Sequence, residues 1–208
     1  MKRLRILLYL VINIAFATAY ASDIEDLFKG VEIDAPKMVQ QALLRGTDPN
    51  ARDANGQVAL FVALRGESLQ AAEALLEHPG VDIDAANANG ETPLMMAAMR
   101  GQVAWVQRLL ERGAKVNREG WTPLHYAAAG PSVPVIELLL TRGAAIDARS
   151  PNGTTPLMMA ARYGAIDAAD LLLARGANPA LRNERELLAA DFATAAGREE
   201  LALRLRRR

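Results

Sequence analysis

Cysteine is absent from the 208-residue chain and histidine occurs only twice. A chain without cysteine has no disulfide framework, so its stability must come from packing. The sequence also lacks an HExxH motif, a glycine-rich phosphate loop and a Gly-x-Ser-x-Gly segment. We therefore expect no enzyme activity, no catalytic residues, no metal and no cofactor.

An excess of positive charge is absent as well. The 24 Lys and Arg residues balance 24 Asp and Glu residues, so no basic field favours nucleic acid as a partner. A composition that is 51% apolar and 23% charged is typical of a globular protein.

Residues 1–21 have the pattern of a secretory signal peptide. Three basic residues precede a mostly apolar stretch from Ile6 to Ala19, and Ala19-Tyr20-Ala21 has the small-x-small form of a cleavage site. Cleavage after Ala19 and an uncleaved anchor are the alternatives, although the stretch is short for a membrane span of about 20 residues.

The basic residues are Lys2, Arg3 and Arg5. Cleavage leaves 21 basic and 24 acidic residues, a charge of 21 − 24 = −3. We expect a periplasmic or secreted protein that is not membrane-bound after cleavage.

A short phrase returns four times: "QVALFVAL" at 57–64, "ETPLMMAA" at 91–98, "WTPLHYAA" at 121–128 and "TTPLMMAA" at 154–161. The glycines before it are 34, 30 and 33 residues apart, and periods of 20 to 50 residues indicate stacked repeats. These glycines are Gly56, Gly90, Gly120 and Gly153.

Each residue of a unit has a structural role. In residues 89–120, Thr92 is a good N-cap and Pro93 fits the first helical position. Gly101 and Gly113 are placed to end two short helices. The second helix has one apolar face, formed by Val103, Val106, Leu109 and Leu110.

This pattern resembles the ankyrin-repeat family, whose unit is a β-turn followed by two antiparallel helices. "WTPLHYAA" matches the family's opening phrase, and "LLERGAKVN" matches the end of its second helix. The resemblance covers residues 34–203 and implies an all-α solenoid in a single domain. We expect a cap at 22–53, full repeats at about 54–87, 88–117, 118–150 and 151–182, and a C-terminal cap at 183–208.

Several departures from the family pattern have structural consequences. Val58-Ala59 replaces Thr-Pro, and the turn around Asn117 is about three residues short. The N-terminal cap opens with a weak helix from about Ile24 to Lys29, and the C-terminal cap loses the Thr-Pro-Leu-His phrase. Atypical end units are typical of caps.

Three features invite a functional reading. His125 could act as a general base, but the resemblance implies that it ties neighbouring turns together by hydrogen bonds. Carboxylates around Asp23 and Asp82 lack the spacing of a calcium loop. The final "RLRRR" could bind an acidic surface or a membrane, but arginines at a helix C-terminus also complement its dipole, and we favour that role. Trp105 is expected to pack between units.

The resemblance places a partner surface on the first helices and the turns before them. We expect one equivalent position in each first helix to be exposed, and we call this position the slot. The residues in the slot are Val62, Met96, Tyr126 and Met159. Nearby variable positions are Arg65, Met99, Arg100, Trp121, Arg162 and Tyr163. Trp, Tyr, Met and Arg are enriched in interface cores, although Met96 and Met159 could instead pack between units.

The sequence therefore predicts an exported, monomeric, non-catalytic protein that binds, protects or regulates another protein. Two alternatives remain. The chain could be an effector that acts on a host protein, or a scaffold that carries a ligand-binding or enzymatic site.

Overall fold

The structure, a computed structural model, describes residues 22–207. The expected signal peptide lies outside this part of the chain. The chain divides into two compact units, Met1–Gly90 and Glu91–Arg208. Between residues 22 and 207 the regular structure is helical, and a single antiparallel bridge pairs Arg52 with Val58. Over the same residues, no helix is both long and apolar enough to cross a membrane.

The described part of the first unit, residues 22–90, contains four helices. They are α1 at 22–32, α2 at Pro36–Leu44, α3 at Ala59–Gly66 and α4 at Leu69–Leu76. Helix α4 packs against both α2 and α3. The first helix is longer than the weak helix expected from the sequence. Its inner face buries Leu27 and Val31 completely, and Phe61 and Leu75 are buried within the same unit.

Acidic residues of the first unit stabilise its helices. The Arg45 guanidinium lies 2.6 Å from a carboxylate oxygen of Asp23 and 2.8 Å from one of Asp26. Asp34 adopts a left-handed backbone with φ of 50°, and its Oδ1 accepts a 2.8 Å hydrogen bond from the amide of Ala71. Helix α4 has no cap from its own N-cap side chain, so Asp34 satisfies one of its free amides.

Helix α3 begins without the Thr-Pro pair. Its N-cap residue Val58 offers no side-chain hydrogen bond. Instead, Oδ1 of Asp53 accepts hydrogen bonds from the amides of Asn55, at 2.9 Å, and Gln57, at 2.8 Å. This turn fixes the chain just before the helix, which explains how the unit tolerates the departure.

The second unit contains eight helices in four pairs. First helices are α5 (Pro93–Met99), α7 (Pro123–Ala129), α9 (Pro156–Tyr163) and α11 (Ala189–Ala195). Second helices are α6 (Val103–Glu111), α8 (Val133–Thr141), α10 (Ala168–Ala174) and α12 (Glu199–Arg206). The first helices pack side by side in chain order, α5 on α7, α7 on α9 and α9 on α11. The all-α ankyrin-repeat fold expected from the sequence is confirmed.

Small residues let the first helices approach closely. Ala97, Ala127 and Ala160 are completely buried between them. A Cβ at Gly130 would lie 2.8 Å from the carbonyl oxygen of Met99, and one at Gly164 would lie 2.3 Å from that of Ala128. Both distances are too short for a side chain, so this spacing of the helices requires glycine at both positions.

The C-terminal helices cover the end of α9. Arg198 donates hydrogen bonds to the carbonyl oxygens of Ala160, at 2.8 Å, and of Ala161 and Gly164, both at 3.2 Å. These carbonyls belong to the last turn of α9 and its C-cap, where a helix has few amides left to offer; the carbonyl of Ala160 also accepts the amide of Gly164, at 3.1 Å. A single guanidinium therefore satisfies them and joins the C-terminal cap to the preceding repeat.

The arginines of the final segment also contact neighbouring helices. Arg204 lies 3.0 Å from a carboxylate oxygen of Asp170, and Arg206 lies 3.7 Å from one of Asp191. Such exposed pairs contribute about 0 to 1 kcal/mol each, so they orient α12 more than they stabilise it.

We expect the Arg198→Ala substitution to lower the free energy of unfolding by about 2 kcal/mol, because hydrogen bonds to charged groups contribute about 1.5–3 kcal/mol. Thermal or urea unfolding followed by circular dichroism measures the change. Arg207→Ala, at the exposed end of α12, is the matched control and should change stability by less than about 0.5 kcal/mol. Equal stability of the two variants would contradict the clamp role of Arg198.

Candidate protein-binding surface

The third residue of each first helix in the second unit accepts a hydrogen bond from the amide of the N-cap residue. The acceptor is a thioether sulfur at Met95 and Met158, both at 3.4 Å, an imidazole nitrogen at His125, at 3.2 Å, and a carboxylate oxygen at Asp191, at 2.9 Å. The Thr92 hydroxyl in turn accepts from the amide of Met95, at 3.3 Å, so its expected N-cap role is confirmed.

Both ring nitrogens of His125 are engaged within the fold. Nδ1 accepts the amide hydrogen of Thr122 and lies 2.9 Å from its hydroxyl oxygen. Nε2 lies 2.9 Å from the carbonyl oxygen of Thr154, which can only accept, so Nε2 carries the ring hydrogen. The side chain is completely buried, and this burial lowers the pKa of His125 from its usual value.

His125 therefore ties its own helix start to the turn of the next repeat, as the resemblance implied. A neutral imidazole with no free nitrogen and no access to solvent cannot take a proton from a substrate.

The fourth residue of each first helix points away from that buried site. Met96, Tyr126 and Met159 occupy this position and are half-buried. Val62, in the corresponding slot of the first unit, is only 9% exposed, so its expected exposure is wrong. It lies in α3, whose inner and outer faces are both largely buried, and it offers little area to a partner.

Sequence reasoning missed Phe192. It holds the same slot in α11 and is half-buried like the others. The missing Thr-Pro-Leu-His phrase hid this position. The signal was the repeat period, because Phe192 follows Met159 by 192 − 159 = 33 residues. In the second unit the outward slots thus hold two methionines and two aromatic residues.

Longer side chains stand at the C-terminal ends of α5 and α9. Met99 is 38% exposed and Tyr163 is 57% exposed. Arg100 and Arg162 are also exposed, and the Arg162 guanidinium lies 5.2 Å from the centre of the Tyr163 ring. Stacking of this kind holds the arginine in place while its remaining donors face outward.

Arg65, another predicted surface residue, belongs to the first unit. It is exposed, donates to Gln57 Oε1 at 2.6 Å and lies 5.9 Å from the centre of the Phe61 ring.

The two aromatic residues beside the short turn are fixed by neighbouring groups. The Tyr126 hydroxyl donates to Glu91 Oε1 at 2.8 Å. Burial and then this carboxylate raise the pKa of Tyr126, while the charge of Arg118 acts in the opposite direction. Trp121 is half-buried and meets the His125 ring edge-on at 5.2 Å between centroids. A partner would therefore meet aromatic side chains that are already ordered.

Other side chains that could belong to a binding or metal site have structural roles instead. Trp105, 8% exposed, lies in the interior, with the Arg108 guanidinium 5.6 Å from its ring. Asp82 Oδ1 accepts the amide of Asp84 at 3.0 Å, within its own turn. Over residues 22–207, no group of three or more His, Cys, Asp or Glu side chains could hold a metal ion.

Eight of the ten predicted surface residues lie in the second unit: Met96, Met99, Arg100, Trp121, Tyr126, Met159, Arg162 and Tyr163. Because the first helices pack side by side in chain order, these residues form one surface together with Phe192. We call it the first-helix face.

Comparison with known proteins identifies the architecture. The family model for ankyrin repeats (3 copies) matches residues 27–119 and 115–183, which is most of the chain. The chain belongs to the ankyrin-repeat family. Ankyrin repeats are protein–protein interaction modules and are generally non-catalytic, and this chain is a module of that class.

Relatives among curated proteins match only over a few repeats. The human transient receptor potential cation channel subfamily A member 1 is 33% identical over 85 residues, or 41% of this chain and 8% of that protein. The zebrafish (Danio rerio) ankyrin repeat and SAM domain-containing protein 6 is 37% identical over 71 residues, which is 34% of this chain and 10% of that protein. The ankyrin-repeat chain thus spans about a tenth or less of these relatives.

A solved structure matches over nearly the whole length. It is a chain from the complex of a predatory endopeptidase from Bdellovibrio bacteriovorus with an immunity protein. The match has a TM-score of 0.73 and 27% identity, and it covers 88% of this ankyrin-repeat chain and 97% of that chain.

His125 makes the stability of the protein depend on pH. The unfolded chain binds a proton on this histidine near pH 6.5, whereas burial holds the folded pKa lower, so stability falls as pH drops below about 6.5. His125→Met keeps an acceptor for the Thr122 amide, as at Met95, but removes the bond to Thr154. We expect this variant to lose about 1 kcal/mol at pH 7 and to show a flatter decline between pH 7 and 5.

Urea unfolding of the native protein and the variant at each pH measures both effects. The carboxylates are common to the two proteins, so the difference between the curves reports His125 alone. Parallel curves would contradict the buried neutral state of the ring.

Proposed function

We propose that this ankyrin-repeat protein is exported to the periplasm or secreted, and that it binds another exported protein, as a monomer, through the first-helix face. We further propose that the partner is a peptidase whose activity the protein restrains, in the manner of an immunity protein. Binding, and not chemistry of its own, is then the function.

The observation that carries this proposal is the match to the endopeptidase–immunity protein complex. It covers 97% of the matching chain at 27% identity, whereas the curated relatives share only a few repeats inside much larger proteins. The similarity therefore extends over nearly the whole of the matching chain. The signal-peptide pattern of residues 1–21 supports export, since a protein that restrains an exported enzyme must meet it in the same compartment.

The first-helix face has the composition of an interface. Tyr, Trp, Met and Arg are the residues that carry most binding energy in protein complexes. Trp121 and Tyr126 are ordered before binding by His125 and Glu91, so a complex would lose little side-chain entropy there.

Partner identification tests the proposal directly. The mature protein, immobilised on beads, is incubated with the periplasmic fraction of the producing organism, and mass spectrometry identifies what is retained. The captured enzyme is then assayed with and without the ankyrin-repeat protein. We expect a peptidase and a loss of its activity at equimolar amounts. Capture of a protein without peptidase activity, or a peptidase that stays fully active in the complex, would contradict the proposed role.

Truncation of the two ordered aromatic residues should weaken this complex. Each such anchor typically costs about 2 kcal/mol or more, so Trp121→Ala combined with Tyr126→Ala should raise the dissociation constant at least about tenfold. Surface plasmon resonance with the captured partner measures the change. Circular dichroism must show that the helices persist, because Tyr126 also binds Glu91.

The matched control removes exposed apolar side chains outside the first helices. Ile166 is 79% exposed and Leu203 is 51% exposed, so the Ile166→Ala, Leu203→Ala double variant should bind as the native protein does. If the aromatic variant is folded and binds the partner undiminished, the interface lies elsewhere.

A further inference from the structure

Charge is distributed unevenly along the first-helix face. In α5, α7, α9 and their C-cap residues, Arg100 and Arg162 are the only ionised side chains, and both are exposed at the C-terminal ends of their helices. The carboxylate of Glu91 lies at the opposite end, where it accepts the hydroxyl of Tyr126. Among the residues of these helices and their C-caps, the ionised side chains are therefore both positive and lie at the C-terminal end.

Small residues of α7 lie between the helices that carry the two arginines. Helix α7 lies between α5 and α9, but where those helices carry Met99 with Arg100 and Arg162 with Tyr163, it carries Ala129 and Gly130. Ala129 is half-buried and Gly130 is buried. The longer side chains of α5 and α9 thus border a stretch of small residues on α7, which we call the recess.

We propose that this recess binds an acidic segment of the partner protein, with one apolar side chain over Ala129 and carboxylates on Arg100 and Arg162. The inference rests on the proposed function, because it assumes that the first-helix face is where the partner binds. Arginine is suited to this role because its planar guanidinium matches a carboxylate with two parallel hydrogen bonds.

The geometry sets the spacing of the acidic residues. Packed helices lie about 8–10 Å apart, so α5 and α9, on either side of α7, are separated by about 16–20 Å. An extended segment rises about 3.3 Å per residue, and the arginine side chains can lean inward over the recess. The two carboxylates should therefore be about four to six residues apart, with the apolar residue midway between them.

The C-terminus of α7 favours the same arrangement. A helix C-terminus carries a partial negative charge, so a carboxylate directly over Gly130 would be repelled while an apolar side chain would not. The carboxylates are then directed outward to the guanidinium groups on the neighbouring helices.

Synthetic peptides test this chemistry without the partner. The probe is a fluorescently labelled peptide in which a central leucine is flanked on each side by glutamates at the stated spacing, and a second peptide carries lysines in their place. Fluorescence anisotropy with the folded protein gives both affinities. We expect the glutamate peptide to bind at least about fivefold tighter, with affinity that falls as salt is raised.

Substitution of the two arginines should remove this preference. We expect Arg100→Gln with Arg162→Gln to weaken glutamate-peptide binding at least about fivefold. The matched control is Arg112→Gln with Arg142→Gln, which changes two exposed arginines at the ends of second helices α6 and α8 and should leave binding unchanged.

Three results would overturn the inference: equal binding of the two peptides, no binding of the glutamate peptide at millimolar concentration, or equal binding by the Arg100/Arg162 variant and its control. None of these depends on finding the partner. If capture succeeds and the peptides do not discriminate, the proposed function stands and the acidic preference is wrong. If the peptides discriminate as expected but no peptidase is captured, the recess chemistry stands and the proposed function is wrong.

Discussion

The starts of helices α5, α7 and α9 are buried, and the rest of the second unit depends on how the backbone is satisfied there. Thr92, Thr122 and Thr155 are 5%, 2% and 1% exposed, so water cannot complete the hydrogen bonds of their amides. A buried amide without a partner would cost about 1–3 kcal/mol. The third residue of the helix supplies the acceptor within the same turn, which keeps the interior closed to water.

The fold requires an acceptor at that position more than it requires histidine. Thioether sulfur, imidazole nitrogen and carboxylate oxygen all serve, at 3.4, 3.2 and 2.9 Å. Histidine adds a second bond to the next repeat that the methionines cannot make, because a thioether has no hydrogen to donate. Within the second unit, the residues at this position thus all carry a group that accepts, and the adjacent outward residue is unconstrained.

The sequence predicted the features that are local in the chain. Thr92 with Pro93 marks a helix start, and the structure places the helix from Pro93 onward. The family resemblance implied one distant contact, that of His125 with the turn of the next repeat. Other distant contacts could not be predicted: Arg198 binds carbonyls 34 to 38 residues earlier, and the Asp34 carboxylate meets the amide of Ala71, 37 residues later. Both contacts depend on how one repeat stacks on the next, which a repeat phrase does not encode.

The surface was predicted less completely than the fold. Exposure of Val62 was inferred from its slot, but Val62 is only 9% exposed and lies in α3, where every residue from Ala59 to Leu64 is buried. Phe192 was missed because the phrase that identifies the slot is lost in the C-terminal cap. The position of the slot follows from the residue at which the helix begins and from the 33-residue repeat period. Neither of these requires the Thr-Pro-Leu-His residues themselves.

Phe192 gives the C-terminal cap a second role. Helix α11 covers α9 with Ala189 and Ala193, which are almost completely buried, and it also presents Phe192 outward beside Met159. The clamp of Arg198 on α9 therefore holds part of the first-helix face as well as the end of the core. A cap that only excluded water could be replaced by any polar helix pair. Because this one carries an outward aromatic residue, stability and recognition are coupled at this end of the protein.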